Sequence, residues 1–326
     1  MRPIQLGTDP TRSRHVSPIA LGAMRMGTST DESTSYAILD RYVELGGTFI
    51  DTANNYAYWV NGTQGGESER LLGAWLRSRG IGDQVTIATK VGGRPTRPSP
   101  TMAREVEGLA PGVIRESAER SLENLGRIDL YYAHIFDDAV PLDHQVEAFA
   151  ALVTDGLVGL LGLSNHWAWQ IERARAIAAA AGLPGCDVLQ HHHTYFRART
   201  DQAGMRSPDG TLGVTDGHLL SYLRAEPGLA LVAYSPLLAG AYVRPDQPMG
   251  ELYDHAGTRA RRAALDDVVR ETGATANQVV LAWLMGGELP IIPLVGASSV
   301  AQLEESMAAI DLELTADQRQ RLDAAG

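Results

Sequence analysis

Short apolar runs alternate with helically spaced segments along almost the whole chain, and no other feature limits the fold as strongly. The runs fall at residues 19–24, 48–50, 85–90, 129–134, 158–163, 187–190, 229–234 and 290–295. Helical spacing follows from Asp31 to Leu45, among Ser and Thr caps, then through Leu71, Leu72, Trp75 and Leu76. It returns over 113–125, 143–154, an Ala-rich stretch to Ala181, 216–225 and 258–285, and two short helices close the chain. Such alternation implies parallel βαβ units, and eight of them close into an α/β fold of the (β/α)8 TIM-barrel type. Residues 2–7 and 14–19 flank Thr8-Asp9-Pro10 and add a short N-terminal hairpin. No linker or composition break interrupts the pattern, which predicts one domain over 1–326. The three longest connections, 56–66, 92–112 and 196–214, all follow strands and so belong to the face where barrels do chemistry.

The strand ends carry the chemistry. Thr48-Phe49-Ile50 runs directly into Asp51, Asn54, Asn55 and Tyr56, apolar where a strand packs and polar where it emerges. A phenol is a useful proton donor near neutral pH only if a cation lowers its pKa, and a carboxylate at a strand end can hold that cation. The next strand ends in Lys90 and the one after in His134. Lys90 is expected to lower the Tyr56 pKa, Asp51 to keep Lys90 charged and oriented, and His134 to fix a substrate oxygen. Lys90 with Asp51 alone would read as a structural ion pair; Tyr56 and His134 at neighbouring strand ends turn the reading to catalysis.

Composition excludes several classes. A formal net charge of −11 argues against general affinity for nucleic acid or anionic membrane, though not against a phosphorylated ligand held by backbone N–H groups. The single cysteine, Cys186, permits no intrachain disulfide and suits a reducing compartment. Residues 1–6 form no apolar signal core and no run reaches membrane-spanning length, so a cytoplasmic location is expected. His191-His192-His193 raises a metal-dependent hydrolase as a rival. Alternation along a strand lets at most two of the three share a direction, and no Cys or carboxylate sits nearby at ligand spacing. No metal is expected, and His192 is placed beside Gln190 in the barrel. Tyr131 and Tyr132 read as packing, and Arg197 and Arg199 as a solvated loop, with contact to an acidic substrate the alternative.

The chain resembles the aldo-keto reductase superfamily over nearly its whole length. The resemblance is carried by Leu21-Gly22-Ala23-Met24, Gly46-Gly47-Thr48-Phe49-Ile50-Asp51-Thr52-Ala53 with Tyr56, and Gly66-Glu67-Ser68-Glu69 with Leu72-Gly73. It continues through Lys90, His134, Gly162-Leu163-Ser164-Asn165, Gln190, Ala233-Tyr234-Ser235-Pro236-Leu237, and Val295-Gly296 with Leu303-Glu304-Glu305. It implies that Asp51, Tyr56, Lys90 and His134 are a catalytic four, with Tyr56 the general acid while a nicotinamide hydride reduces a carbonyl. It further implies that Ser164, Asn165 and Gln190 hold the nicotinamide carboxamide and that Tyr234 stacks on the ring. Gly22, Ala23, Met24 and Asp51, with Ser235, Pro236, Leu237, Leu238 and Gly240 along the pyrophosphate, are further expected cofactor contacts. No Gly-x-Gly-x-x-Gly follows a strand, so a Rossmann site has no support.

Two segments depart from the family pattern. Where relatives carry Lys or Arg for a 2′-phosphate, and often Glu-Asn further on, this chain has Gly296-Ala297-Ser298-Ser299 with Gln302 and Glu305-Ser306. Gly296, Ser298, Gln302 and Glu305 are assigned to the adenosine end without a positive charge. NADP (as NADPH) is the expected cofactor and NAD stays open. The loop from Tyr56 to Gln64, with Tyr58, Trp59 and Asn61, is longer and more aromatic than expected. Exposed aromatic rings suit a sugar-type or aromatic ligand, with Tyr56, Trp59 and His134 toward the substrate; alternatively Trp59 caps the mouth. The expected partner is a small carbonyl or alcohol. A regulatory subunit that binds the nucleotide as a sensor is the rival reading, and oligomeric state is left open.

Overall fold

The computed structural model describes residues 3–60, 62–97, 105–199, 201 and 210–326. Eight parallel strands close a barrel: β3 (Ala20–Gly22), β4 (Phe49–Asp51), β5 (Thr86–Val91), β6 (Leu130–Ala133), β7 (Leu160–Ser164), β8 (Val188–His192), β9 (Ala230–Tyr234) and β10 (Ile291–Gly296), with β10 pairing back to β3. The expected hairpin precedes them as antiparallel β1 (Ile4–Leu6) and β2 (Arg14–Val16). It covers the end of the barrel where strands begin. Leu6 and Val16 pack with Leu130, Leu160 and Val188, and Arg14 pairs with Asp129 at 2.9 Å while Arg12 pairs with Asp187 at 3.3 Å.

The helices are α1 (Glu32–Glu44), α2 (Glu67–Arg79), α3 (Pro111–Leu125), α4 (Leu142–Thr154), α5 (Ala168–Ala181), α6 (Gly217–Ala225), α7 (Ala256–Thr272), α8 (Ala276–Met285), α9 (Val300–Ala308) and α10 (Ala316–Ala324). The cap that starts α1 is the Asp31 carboxylate, which accepts from the Thr34 amide at 2.9 Å, rather than a Ser or Thr hydroxyl. Between β9 and β10 lie two helices, α7 and α8.

Period-two alternation sorts side chains into two layers. Phe49, Leu130, Leu160, Val188, Ala230, Val232 and Ile292 fill the barrel. Ile50, Ile87, Tyr131, Leu161 and Leu189 face the helices. Burying each large apolar side chain contributes roughly 1.5–3 kcal/mol.

Two of the strand bounds that differ from expectation have clear local reasons. The turn out of α4 uses Leu157 and Val158, whose amides bond to Leu152 O at 2.9 and 3.3 Å, so β7 begins at Leu160. β3 ends at Gly22 because the chain turns there: the Met26 amide bonds to Ala23 O at 3.0 Å, leaving Met24 37% exposed.

Candidate active site

Strand register brings the site together at the end of the barrel where strands finish. Asp51 stands opposite Ala88 and Lys90 opposite Tyr132, all inside the barrel. Lys90 and Asp51 are both fully buried, joined by Nζ–Oδ1 at 2.5 Å. An ammonium has three N–H donors, and the other two go to Thr52 O at 2.6 Å and the Tyr56 hydroxyl at 2.7 Å. Gln190 Nε2 donates to the second Asp51 oxygen at 2.8 Å. Burial is the larger influence on both charges. It pushes the Asp51 carboxyl up and pulls Lys90 down, while each charge opposes the other's shift.

Tyr56 reaches Lys90 because the chain turns sharply after β4. Its amide bonds to Ala53 O at 3.3 Å, and the next residue, Ala57, is left-handed at φ 59°. The Tyr56 ring meets His134 edge to face, with centroids 5.9 Å apart. His134 follows β6, its amide bonded to Val91 O at 2.9 Å. All four residues expected to act together are therefore adjacent.

The expected amide-binding residues form a second group beside them. Asn165, left-handed at φ 62°, donates to His134 O at 2.8 Å and to Ser164 Oγ at 3.0 Å, and accepts from the Tyr234 hydroxyl at 2.9 Å. Gln190 ties this group to Asp51. After β9, Ser235, Leu238 and Ala239 are left-handed at φ 52°, 47° and 54°, followed by Gly240 at 94°. Left-handed backbone at non-glycine residues costs of order 1–3 kcal/mol each and concentrates at functional sites. Thr194 Oγ braces the turn by donating to Pro236 O at 2.6 Å.

Gly296 stands opposite Gly22, and Gly22 opposite Asp51, so these glycines share one level of the rim. Ala23 continues the rim with its amide on Asp51 O at 2.9 Å. Beyond it, Gln302 Oε1 accepts from both the Ser298 amide and hydroxyl at 2.9 Å, at the start of α9. Glu305 faces the start of α8, accepting from Thr275 Oγ at 2.7 Å.

Other expectations are refined. Tyr58 is buried rather than exposed, and half-buried Trp59 meets it edge to face at 5.0 Å; Asn61 lies outside the described residues. Arg199 is paired with Asp201 at 2.5 Å. His191 Nε2 lies 2.8 Å from His166 O, while the His192 ring meets Tyr234 inside the mouth at 5.4 Å. Tyr131 packs under the helices, but Tyr132 points inward, its ring centre 5.8 Å from Lys90 Nζ. The alternation that turns His134 inward does the same for Tyr132, so that signal was present. The Thr52 carbonyl had none, because a backbone oxygen leaves no mark in side-chain patterning.

The Aldo/keto reductase family model matches residues 18–326. An uncharacterized oxidoreductase, YrpG, of Bacillus subtilis is 30% identical over 92% of this chain and 89% of its own length. Norsolorinic acid reductase stcV of Emericella nidulans is 30% identical over 94% of this chain and 77% of its own. Aryl-alcohol dehydrogenase GME11368 of Pestalotiopsis microspora is 25% identical over 96% and 80%.

Proposed function

Since the chain belongs to the aldo/keto reductase family, we propose that it is an NADP(H)-dependent reductase interconverting a carbonyl and an alcohol, with Tyr56 as general acid. The observation that carries this reading is the single buried ammonium bonded to both Asp51 and Tyr56. When bound, the nicotinamide supplies or takes up the hydride. Its carboxamide needs paired donors and acceptors, which Ser164, Asn165 and Gln190 offer. The strained turn of residues 235–240 and the Gly22–Gly296 rim suit the close approach of a pyrophosphate and ribose. Ser298 and Gln302 offer polar contacts without charge at the adenosine end, and NADP is the choice we propose over NAD.

In the reducing direction Tyr56 gives its proton to the carbonyl oxygen. The Lys90 N–H already donated to the phenol oxygen stabilises the phenolate left behind, and Asp51 with Thr52 O keeps that ammonium aimed. His134, across from the Tyr56 ring, orients the substrate oxygen. Burial excludes water from the ion pair, which strengthens each of these contacts. Two relatives are named for aryl-alcohol and norsolorinic acid, and with Tyr58 and Trp59 at the mouth, aromatic aldehydes are the first class to test.

The test is nicotinamide absorbance with NADPH and then NADH against a panel of aryl aldehydes, ketones and oxidised sugars. Tyr56→Phe should lower kcat by roughly 10²–10⁴-fold, the usual share of a general acid, while nucleotide binding persists. Unchanged turnover in that variant removes Tyr56 as the acid. Tight nucleotide binding with no turnover by the wild type replaces the reductase with a sensor.

A further inference from the structure

Beside the catalytic mouth, the loops after β4 and β5 enclose a cleft of about 240 Å³ lined by Tyr58, Thr63, Gln64, Arg94, Thr96 and Arg97, along with Pro95. We propose that this cleft receives a carboxylate carried by the carbonyl substrate, with Arg94 its principal partner and Arg97 the second. The inference rests on the reductase reading and names a substrate class for it.

Position comes first. Arg94 follows Gly93, which packs so tightly against the site that a side chain there would come within 3.1 Å of His134 Nδ1. Gly93 O is held by Asn55 Nδ2 at 2.8 Å. Arg94 O accepts from the Glu107 amide at 2.8 Å, and Thr96 N donates to Glu105 O at 3.2 Å. The guanidinium therefore stands on backbone braced from both sides, one residue from the catalytic wall. Bracing of this kind lowers the ordering cost of binding.

Charge comes second. This chain has 39 acidic residues against 28 basic ones, and most of its described arginines are ion-paired, Arg199 among them. Half-buried Arg94 and exposed Arg97 make no ion pair with any described residue, and among the described residues no carboxylate lines the cleft. The nearby Glu107 carboxylate accepts from Asn54 Nδ2 at 2.8 Å, from the Gly92 amide at 2.9 Å and from the Arg94 amide at 3.4 Å. Two guanidinium groups without an ion pair among the described residues, with the Gln64 amide beside them, form a donor set for anionic oxygens. The volume lies below the roughly 300–1,000 Å³ that encloses a whole drug-sized ligand, so it suits one end of a substrate whose carbonyl lies at Tyr56.

The experiment compares 4-carboxybenzaldehyde with its neutral counterpart 4-methylbenzaldehyde, using wild type, Arg94→Ala, Arg94→Lys and Arg97→Ala. Arg77→Ala, on the exposed side of α2, controls for general charge. Wild type should favour the carboxylated aldehyde by about tenfold or more in kcat/KM, mainly through KM. The preference should collapse in Arg94→Ala, fall partway in Arg94→Lys and Arg97→Ala, and stand in Arg77→Ala. If wild type turns over both aldehydes without preference, the proposal is overturned and the reductase reading survives. Calorimetric binding of terephthalate, a non-reacting analogue, covers the other case. Binding lost in Arg94→Ala with no turnover of any aldehyde keeps the cleft and removes the reductase. No terephthalate binding by wild type overturns the cleft.

Discussion

Lys90 shows how far one side chain can be committed. All three of its donors are engaged inside the barrel, one of them by Tyr56, which like His134 is only partly buried. Removing the ammonium would strand the Asp51 carboxylate where no water reaches it, with Gln190 Nε2 and the Tyr56 hydroxyl its remaining partners. Breaking one side of a buried pair costs about 3–5 kcal/mol, mostly as the penalty of the charge left behind. Lys90→Met should therefore lower the urea-unfolding free energy by that amount and abolish turnover. The double variant Asp51→Asn with Lys90→Met should recover much of the stability and none of the activity. If the double variant is as unstable as the single one, the stranded carboxylate is not the cause. Lys90→Arg should not rescue, since a planar fork cannot direct donors to the three positions a tetrahedral ammonium serves.

Elements hold these residues at the right height, and small positions set the spacing. A Cβ on Gly162 would lie 2.2 Å from the Tyr132 ring, which leans across β7 from the strand position paired with Lys90. Gly162→Ala should cost roughly 1–3 kcal/mol through overpacking, read as a lower urea midpoint. Shrinking the ring with Tyr132→Leu in the same chain should return part of it; independent, additive losses would show that the two residues do not meet. Alternation of strand and helix was legible in the sequence because apolar periodicity records which face is buried. Asp51, Lys90 and His134 were legible because polar residues ending apolar strands are conspicuous. Tyr132 carried the same period-two signal but passed for packing, since an aromatic ring beside an aromatic ring suits a core equally well. Thr52 O and the backbone bracing of Arg94 depend on chain path alone. The left-handed turn at Ser235, Leu238 and Ala239 is likewise hidden, because only glycine advertises positive φ in a sequence.

At the scale of the whole molecule, titratable groups are buried at both ends of the barrel and respond to acid in opposite senses. At the hairpin end, burial pushes Asp129 and Asp187 up, partly offset by Arg14, Arg127 and Arg12. At the other end, two histidines following strands are buried. His166 has Nδ1 2.8 Å from Ser164 O, and His193 packs near Trp283, with ring centres 6.1 Å apart. Burial is the main cause that pulls His166 down to about 4 and His193 to about 3. Between those values and about 6.5 the unfolded chain binds protons that the folded chain refuses, so stability rises with pH across that window. It is lost as pH falls from about 6.5, with His166 contributing on the order of 3 kcal/mol to the full loss and His193 on the order of 5. The raised carboxylates act the other way at the low end of the range, so the clean comparison is between variants. Urea midpoints for wild type and His193→Phe at pH 7, 5.5 and 4.5 should diverge as acid is added, the wild type losing more at each step. Parallel curves would mean that His193 is protonated in the folded barrel, and that the strand ends around the mouth admit water the packing shows no room for.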